Sequence, residues 1–273
     1  MKKNKSRTVI SFILSILLAI FMTLLVILTI TRFTMTSPSY LVNKLEDANY
    51  FTGSVETLND RIQDSTQSTG FPLEMFENYV DENTATNAIK TYITNALNGE
   101  ATIIDTTEFE NKLNSDVDTY LTQNNIIVNT EEQEAVNAMK SDIINDYQSY
   151  MSFPAVTTIA SIIAMFNHYY LIIAAVLLVL IIFRSVILYR LYHHYYYRRR
   201  FFSYSILASG WMCFIIPALL YIGGFVNRLS LTPQYFYSFV TTLLNSYLLM
   251  FIYVGIILIV LGSIFAYIKF ERK

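Results

Sequence analysis

The chain has 273 residues, of which 53% are hydrophobic, and a mean hydropathy of +0.39. This composition is too apolar for an ordinary soluble protein and indicates a membrane protein, for which no nucleic-acid partner is expected. The net charge of −2 is strongly segregated: 20 of the 21 acidic residues and only five basic ones lie between residues 44 and 146, a net charge of −15. The single cysteine, Cys213, excludes an intrachain disulfide.

The first predicted element is a transmembrane helix over residues 9–31, after a basic N-terminus of residues 1–8. Its core, Val9–Ile30, carries no charge over 22 residues. A helix of this length rises about 33 Å and crosses a hydrocarbon core of about 30 Å. No small-residue cleavage site follows, so we interpret the segment as an uncleaved anchor, with a cleaved signal peptide as the alternative.

Residues 32–154 form a polar, acidic block in which apolar residues recur at helical spacing. One stripe contains Ile89, one contains Phe109 and Leu113, and one contains Met139 and Ile143. For the last two helices we predict N-caps at Asp105, with Glu108 three residues later, and at Thr130. The pattern therefore predicts a small helical bundle, whose polar part from Pro38 to about Phe153 has roughly 115 residues and is long enough to fold by itself.

Three further transmembrane helices are predicted in the C-terminal half, giving an all-α membrane protein with four transmembrane helices and a helical-bundle extracytoplasmic domain inserted between the first two. Asn167 and His168 interrupt the first apolar stretch of this half, residues 155–189, and set the predicted boundary between an interfacial helix and the second span. The segments are an interfacial helix (155–168), the second span (169–189), a basic aromatic cytoplasmic loop (190–200), the third span (201–226), a short external loop (227–234), the fourth span with an external extension (235–268) and a cytoplasmic tail (269–273).

The lysines and arginines predict the orientation. The N-terminus, the 190–200 loop and the tail are basic and fall on one side of a four-span topology, which the positive-inside rule makes cytoplasmic. Both termini are then cytoplasmic, and residues 32–154 lie outside the plasma membrane of a bacterium.

Three local motifs resemble those of uncharacterised four-span membrane proteins of low-GC Gram-positive bacteria. They are the opening GFPLEMFE (Gly70–Glu77), the turn NGE (Asn98–Glu100) and the helix start DTTEF (Asp105–Phe109). The resemblance covers roughly Leu41–Phe153 together with the overall topology. It implies a bacterial plasma membrane location and an acidic helical extracytoplasmic domain, but it brings no activity and no catalytic residue.

The stretch RLYHHYYYRRR, from Arg190 to Arg200, is the densest group of polar chemistry in the chain. Arginines and tyrosines at this boundary favour a surface that contacts anionic phospholipid headgroups and fixes the orientation. The alternative is a specific phosphate-lipid or partner site centred on Arg190, His194 and Arg198. The candidate contact residues are Arg184, Arg190, His193, His194, Arg198, Arg199 and Arg200.

No catalytic, cofactor-binding or metal-binding residue is predicted. The acidic block has no histidine or cysteine, so zinc and thiolate chemistry and a Ser–His pair are excluded there. The spans contain no Asp or Glu.

Three functional hypotheses remain. The first is a non-enzymatic membrane protein whose acidic domain senses or docks an envelope partner, or serves as an accessory subunit of a membrane complex. The second is a transporter or channel subunit, which the low polarity of the spans disfavours. The third is a lipid-binding or lipid-modifying protein in which His193 or His194 acts as acid or base. A membrane or envelope protein, or a second copy of the chain, is the expected protein partner.

Overall fold

The computed structural model describes residues 2–67, 69–100, 104–153, 156–191 and 195–267, with side chains except for 2–7, 157 and 195–198. Every regular element in these ranges is helical, as predicted. The α-helices are α1 (Lys2–Phe33), α2 (Pro38–Asp47), α3 (Tyr50–Gln67), α4 (Glu82–Asn98), α5 (Thr107–Gln123), α6 (Thr130–Met151), α7 (Val156–Leu191), α8 (Tyr195–Ile222) and α9 (Gln234–Tyr267). Short 3₁₀ turns occupy Leu73–Phe76 and Val226–Arg228.

Within the described ranges, four segments are long and apolar enough to cross a membrane, as predicted. They are Thr8–Phe33, Thr158–Leu191, Arg199–Arg228 and Gln234–Tyr267. The helices α7 and α9 have 36 and 34 residues. At 1.5 Å per residue each is more than 50 Å long, well beyond a hydrocarbon thickness of about 30 Å.

Helix α7 differs from the predicted division at residues 168 and 169, because it continues through both segments. The segment Val156–Leu191 contains no glycine or proline, and Asn167 and His168 each lower helix propensity only slightly. The predicted loop 190–200 is also largely helical, since α7 ends at Leu191 and α8 begins at Tyr195.

The chain divides into two compact units. The first contains residues 1–41, 165–230 and 240–273, and the second contains residues 42–164 and 231–239.

In the first unit, α1 and α8 pack through hydroxyl groups and small side chains. The Ser15 hydroxyl lies 2.9 Å from the carbonyl oxygen of Phe201 and 2.8 Å from the Ser205 hydroxyl, and all of these groups are buried. Two turns further along α1, the hydroxyl of Thr23 lies 3.1 Å from that of Ser209. Small and hydroxyl-bearing residues at four-residue spacing allow helices to approach closely in membranes. There the hydrophobic effect does not drive helix association, because lipid tails are as apolar as the side chains.

Helix α8 also approaches α9 closely, at glycines. A Cβ atom added to Gly255 would lie 2.9 Å from the backbone nitrogen of Phe214 and 3.0 Å from the carbonyl oxygen of Gly210. About two helical turns from this point, the Ser203 hydroxyl donates to the carbonyl oxygen of Gly262 at 2.7 Å. Backbone therefore faces backbone between α8 and α9.

The core of the second unit lies between α3, α4, α5 and α6. The predicted stripe positions Ile89, Phe109, Leu113, Met139 and Ile143 are all buried. Aromatic rings from the segment 231–239 join this core, where Tyr235 contacts Tyr50 edge to face at a centroid distance of 5.1 Å. Folding of the unit thus uses two stretches that are distant in sequence.

Both predicted N-caps were wrong by one residue. The N-cap of α5 is Thr106, and the Asp105 carboxylate instead accepts a hydrogen bond from the Thr107 amide at 2.9 Å. The N-cap of α6 is Asn129, which forms a capping box with Glu132. Asparagine caps at least as well as threonine, which accounts for the difference at Thr130.

We predict that Gly255→Ala destabilises the protein by about 1–3 kcal/mol, because the new methyl group meets backbone atoms that cannot move aside independently. Thermal unfolding of the detergent-solubilised chain, followed by circular dichroism, measures this change. Val260→Ala, which alters an exposed residue of the same helix, is the control. Equal unfolding temperatures for the two variants would contradict the close α8–α9 contact.

Candidate functional site

The turn between α5 and α6 presents an apolar loop on the second unit. Ile127 is 94% exposed and Ile126 is 43% exposed, although both are large aliphatic residues. A cleft of about 310 Å³ lies beside them. Its lining residues are Thr69, Gly70, Phe71, Tyr120, Leu121, Ile126, Ile127, Val128, Glu132, Ala135 and Val136.

Hydrogen bonds fix this loop at its start. Asn125 has a positive φ of 52°, and its amide donates to the carbonyl of Thr122 at 3.2 Å. The Ile126 amide donates to the carbonyl of Leu121 at 3.0 Å. This pair of bonds is the Schellman motif, which ends a helix in one defined conformation.

The capping box of α6 fixes the other end of the loop. The Glu132 amide donates to the Asn129 side chain at 2.9 Å, and the Asn129 amide donates to the Glu132 carboxylate at 2.8 Å. Ile127 therefore lies between two anchored helix ends, and its exposure is a property of the fold. No pattern of helical spacing predicts a role for the run IIV (126–128) between asparagines, although three consecutive apolar residues in a turn are unusual.

A second, polar cleft of about 500 Å³ lies between α3 and the segment that leads into α4. Four carboxylates line it, from Glu56, Asp60, Asp81 and Glu82. Hydrogen bonds from the Thr84 amide and hydroxyl lower the pKa of Asp81, which keeps this cap ionised. The carboxylates make the cleft negatively charged, which attracts cations, but carboxylates alone do not establish a binding site.

Lys112 and Tyr79 close one side of the polar cleft. The ammonium group of Lys112 lies 4.0 Å from the ring centroid of Tyr79 and donates to the Tyr79 carbonyl at 3.0 Å. The Tyr79 hydroxyl donates to the Asp116 carboxylate at 2.8 Å. Burial, and then this carboxylate, raise the pKa of Tyr79. Lys112 is therefore held in place by its neighbours.

Among the residues that the structure describes, no group of three or more His, Cys, Asp or Glu side chains is arranged to hold a metal ion.

The predicted headgroup-contact residues have separate environments. Arg199 donates to the carbonyl oxygen of Ala266 at 2.8 Å, in the last turn of α9, where a cation also complements the helix dipole. The guanidinium of Arg200 bonds the hydroxyl of Tyr204 and lies over its ring. Arg190 is exposed in the last turn of α7. His193, His194 and the side chain of Arg198 lie outside the described residues.

Arg184 is the most unusual of these residues. It lies within α7 on the same helix face as Ile181 and Leu188, which pack in an apolar cluster with Leu14 and Phe201. Its Nε atom is buried and has no hydrogen-bond partner among the residues that the structure describes. A guanidinium inside an apolar span needs an anionic or polar partner.

No protein-family profile, curated protein or solved structure matches this chain. The resemblance to four-span membrane proteins of low-GC Gram-positive bacteria stays a prediction.

We predict that Tyr79→Phe lowers the free energy of unfolding by about 1–2 kcal/mol, because it removes a half-buried hydrogen bond to a carboxylate. Circular dichroism of the detergent-solubilised full chain during denaturation measures this loss. Tyr120→Phe is the control, since the Tyr120 hydroxyl makes no hydrogen bond to any residue in the described ranges.

The same variant tests the pH dependence. A raised pKa in the folded state means that the unfolded tyrosine ionises first, so the stability from neutral Tyr79 is present below about pH 10 and is lost as the pH rises beyond it. Tyr79→Phe should therefore reduce the loss of stability between about pH 8 and pH 11. The assigned contact would be contradicted if Tyr79→Phe lost as much stability at alkaline pH as the unchanged chain and was as stable as Tyr120→Phe at neutral pH.

Proposed function

We propose that this chain is a non-enzymatic integral membrane protein whose acidic helical unit lies outside the bacterial plasma membrane and docks or senses an envelope partner, alone or as an accessory subunit of a membrane complex. The observation that carries the proposal is the combination of four candidate spans with a separate compact unit of net charge −15. A unit of this kind offers a protein-binding surface and is retained at the membrane by its anchors.

The distribution of basic residues supports the proposed orientation. Four spans return the C-terminus to the side of the N-terminus. With this topology, 11 lysines and arginines lie in the two termini and around residues 190–200, whereas only Arg32 and Arg228 flank spans on the opposite side. An excess of Lys and Arg marks the cytoplasmic side.

Cysteine labelling tests this orientation. In a Cys213→Ser background, we expect a membrane-impermeant maleimide to label Ser141→Cys in intact cells, because Ser141 is exposed on the acidic unit. Ser6→Cys, in the basic N-terminus, should be labelled only after the cells are lysed. The Cys213→Ser chain alone serves as the unlabelled control, and the reverse pattern would contradict the proposal.

An impermeant cross-linker attached at Ser141→Cys extends the same experiment to the partner. We expect reproducible joining to one envelope or membrane protein in intact cells. Absence of any cross-linked product, together with unaltered envelope behaviour in a deletion strain, would reject the docking function even if the orientation is correct.

Contact with anionic lipid headgroups is a second candidate role, which the environment of Arg184 favours. This residue lies seven positions, or about 10 Å of helix, before the end of α7. A lipid phosphate could accept paired hydrogen bonds from its guanidinium. No residue of the described part of the chain accepts a hydrogen bond from Nε.

We predict that Arg184→Gln reduces the phosphatidylglycerol that copurifies with the protein by several-fold, since one arginine near an anionic surface contributes about 1 kcal/mol. Native mass spectrometry of the protein released from mixed-lipid nanodiscs measures the bound lipid. Arg228→Gln is the control, because Arg228 donates to the carbonyl of Gly223. Equal lipid retention in both variants would exclude this contact.

A further inference from the structure

The apolar loop has features of a docking surface. Ile127 gains almost no burial within its own unit, and covering an aliphatic side chain of this size removes apolar surface from water, which favours binding. The two helix caps hold the loop in place before any partner arrives, so little conformational entropy is lost when a partner binds.

The cleft beside the loop can receive an apolar side chain. The rings of Phe71 and Tyr120 meet there at a centroid distance of 5.4 Å. Val136, which is buried, contributes a further apolar wall. Its volume of about 310 Å³ is at the lower end of the range for ligand sites, which suits one or two anchoring side chains of a protein better than a large free ligand.

Charge identifies the kind of occupant. Glu131 and Glu134 are exposed within a few residues of Ile127, at the start of α6. The lysines of the unit have neighbours of their own: Lys44 contacts Asp47, Lys90 contacts Glu46, Lys112 contacts the Tyr79 carbonyl and Lys140 contacts Asp118. The field around the loop is therefore negative.

This field disfavours two other occupants. A second copy of the chain would bring another unit of net charge −15 against the first. An anionic lipid surface would be repelled in the same way, because like charges brought together cost free energy. A cationic protein segment is attracted by the carboxylates while its apolar residues cover the loop.

We propose that the loop 125–128 and its adjacent cleft bind a protein segment that carries an aliphatic or aromatic anchor flanked by lysines or arginines. This inference rests on the proposed docking function and assigns that function to one surface. Ile127 and the cleft hold the anchor, and Glu131 and Glu134 contact the cationic flanks.

Photo-cross-linking in native cells tests the assignment, with p-benzoylphenylalanine placed in the full-length chain at position 127, 73 or 142. Leu73 and Asp142 are exposed residues of the same unit that do not line the cleft. We expect joining to one protein from position 127 only, at a peptide in which an apolar residue lies within a few positions of at least two Lys or Arg.

Charge and shape variants provide the second arm. In cells, Ile127→Asp and the pair Glu131→Gln with Glu134→Gln should each lower the recovery of that cross-linked protein by at least about tenfold, a loss of about 1.4 kcal/mol in binding. For this arm the photo-reactive residue is placed at Ala135, which lines the cleft and is exposed. Leu73→Asp and the pair Glu100→Gln with Asp142→Asn are the matched controls and should leave the recovery unchanged.

The outcomes separate the two proposals. Joining from position 73 or 142 but not from 127 overturns this inference and leaves the docking function in place. No joining from position 127 overturns this inference, and if joining also fails from every position and a deletion strain has unaltered envelope behaviour, the docking function is overturned as well. Joining from 127 to lipid, to a second copy of the chain or to a peptide without basic residues also overturns this inference, as does an equal effect of the Ile127 and Leu73 variants.

Discussion

The close approach of α8 to two other helices is the contact on which the first unit depends. Inside a lipid phase, apolar side chains gain little by leaving lipid for protein, so helices associate mainly through shape and hydrogen bonds. Helix α8 satisfies this condition on two sides, with Ser205 against Ser15 of α1 and Gly210 against Gly255 of α9. Replacing one of these small residues with a larger one would push two helix backbones apart. Because α8 packs against both α1 and α9, these contacts involve three of the four candidate spans.

The elements that the sequence predicted well are those encoded within one segment. Hydropathy identifies the four candidate spans because each is a single continuous apolar run. Helical spacing identifies buried residues such as Leu113 and Ile143 because each stripe lies within one helix. The contact between Ser15 and Ser205 could not be predicted in this way, since the partners are 190 residues apart and neither is unusual in its own helix.

Local competition between similar residues explains the errors at helix ends and at the candidate sites. Asn129 and Thr130 can both cap α6, and only the geometry of the capping box decides between them. Arg199 lies in a basic stretch whose composition favours a lipid contact, but its guanidinium donates a hydrogen bond to a carbonyl group at the end of α9. The exposure of Ile127 follows from the caps on both sides of it. Three apolar residues in a turn mark an unusual position, but neither helical periodicity nor the hydropathy of a span predicts that the side chain stays exposed.

The contacts of the arginines favour the acidic unit over the basic stretch 190–200 as the candidate functional surface. Arg199 and Arg200 have hydrogen-bond partners within the protein, so their charges already serve the fold. The acidic unit differs, because it has 20 carboxylates and only five basic residues, so most of its negative charge has no basic residue to balance it. In the proposed docking function, an apolar side chain fixed within such a field imposes two requirements, since a partner would have to cover Ile127 and also bring positive charge to Glu131 and Glu134. Two requirements at one small surface give specificity without a large interface.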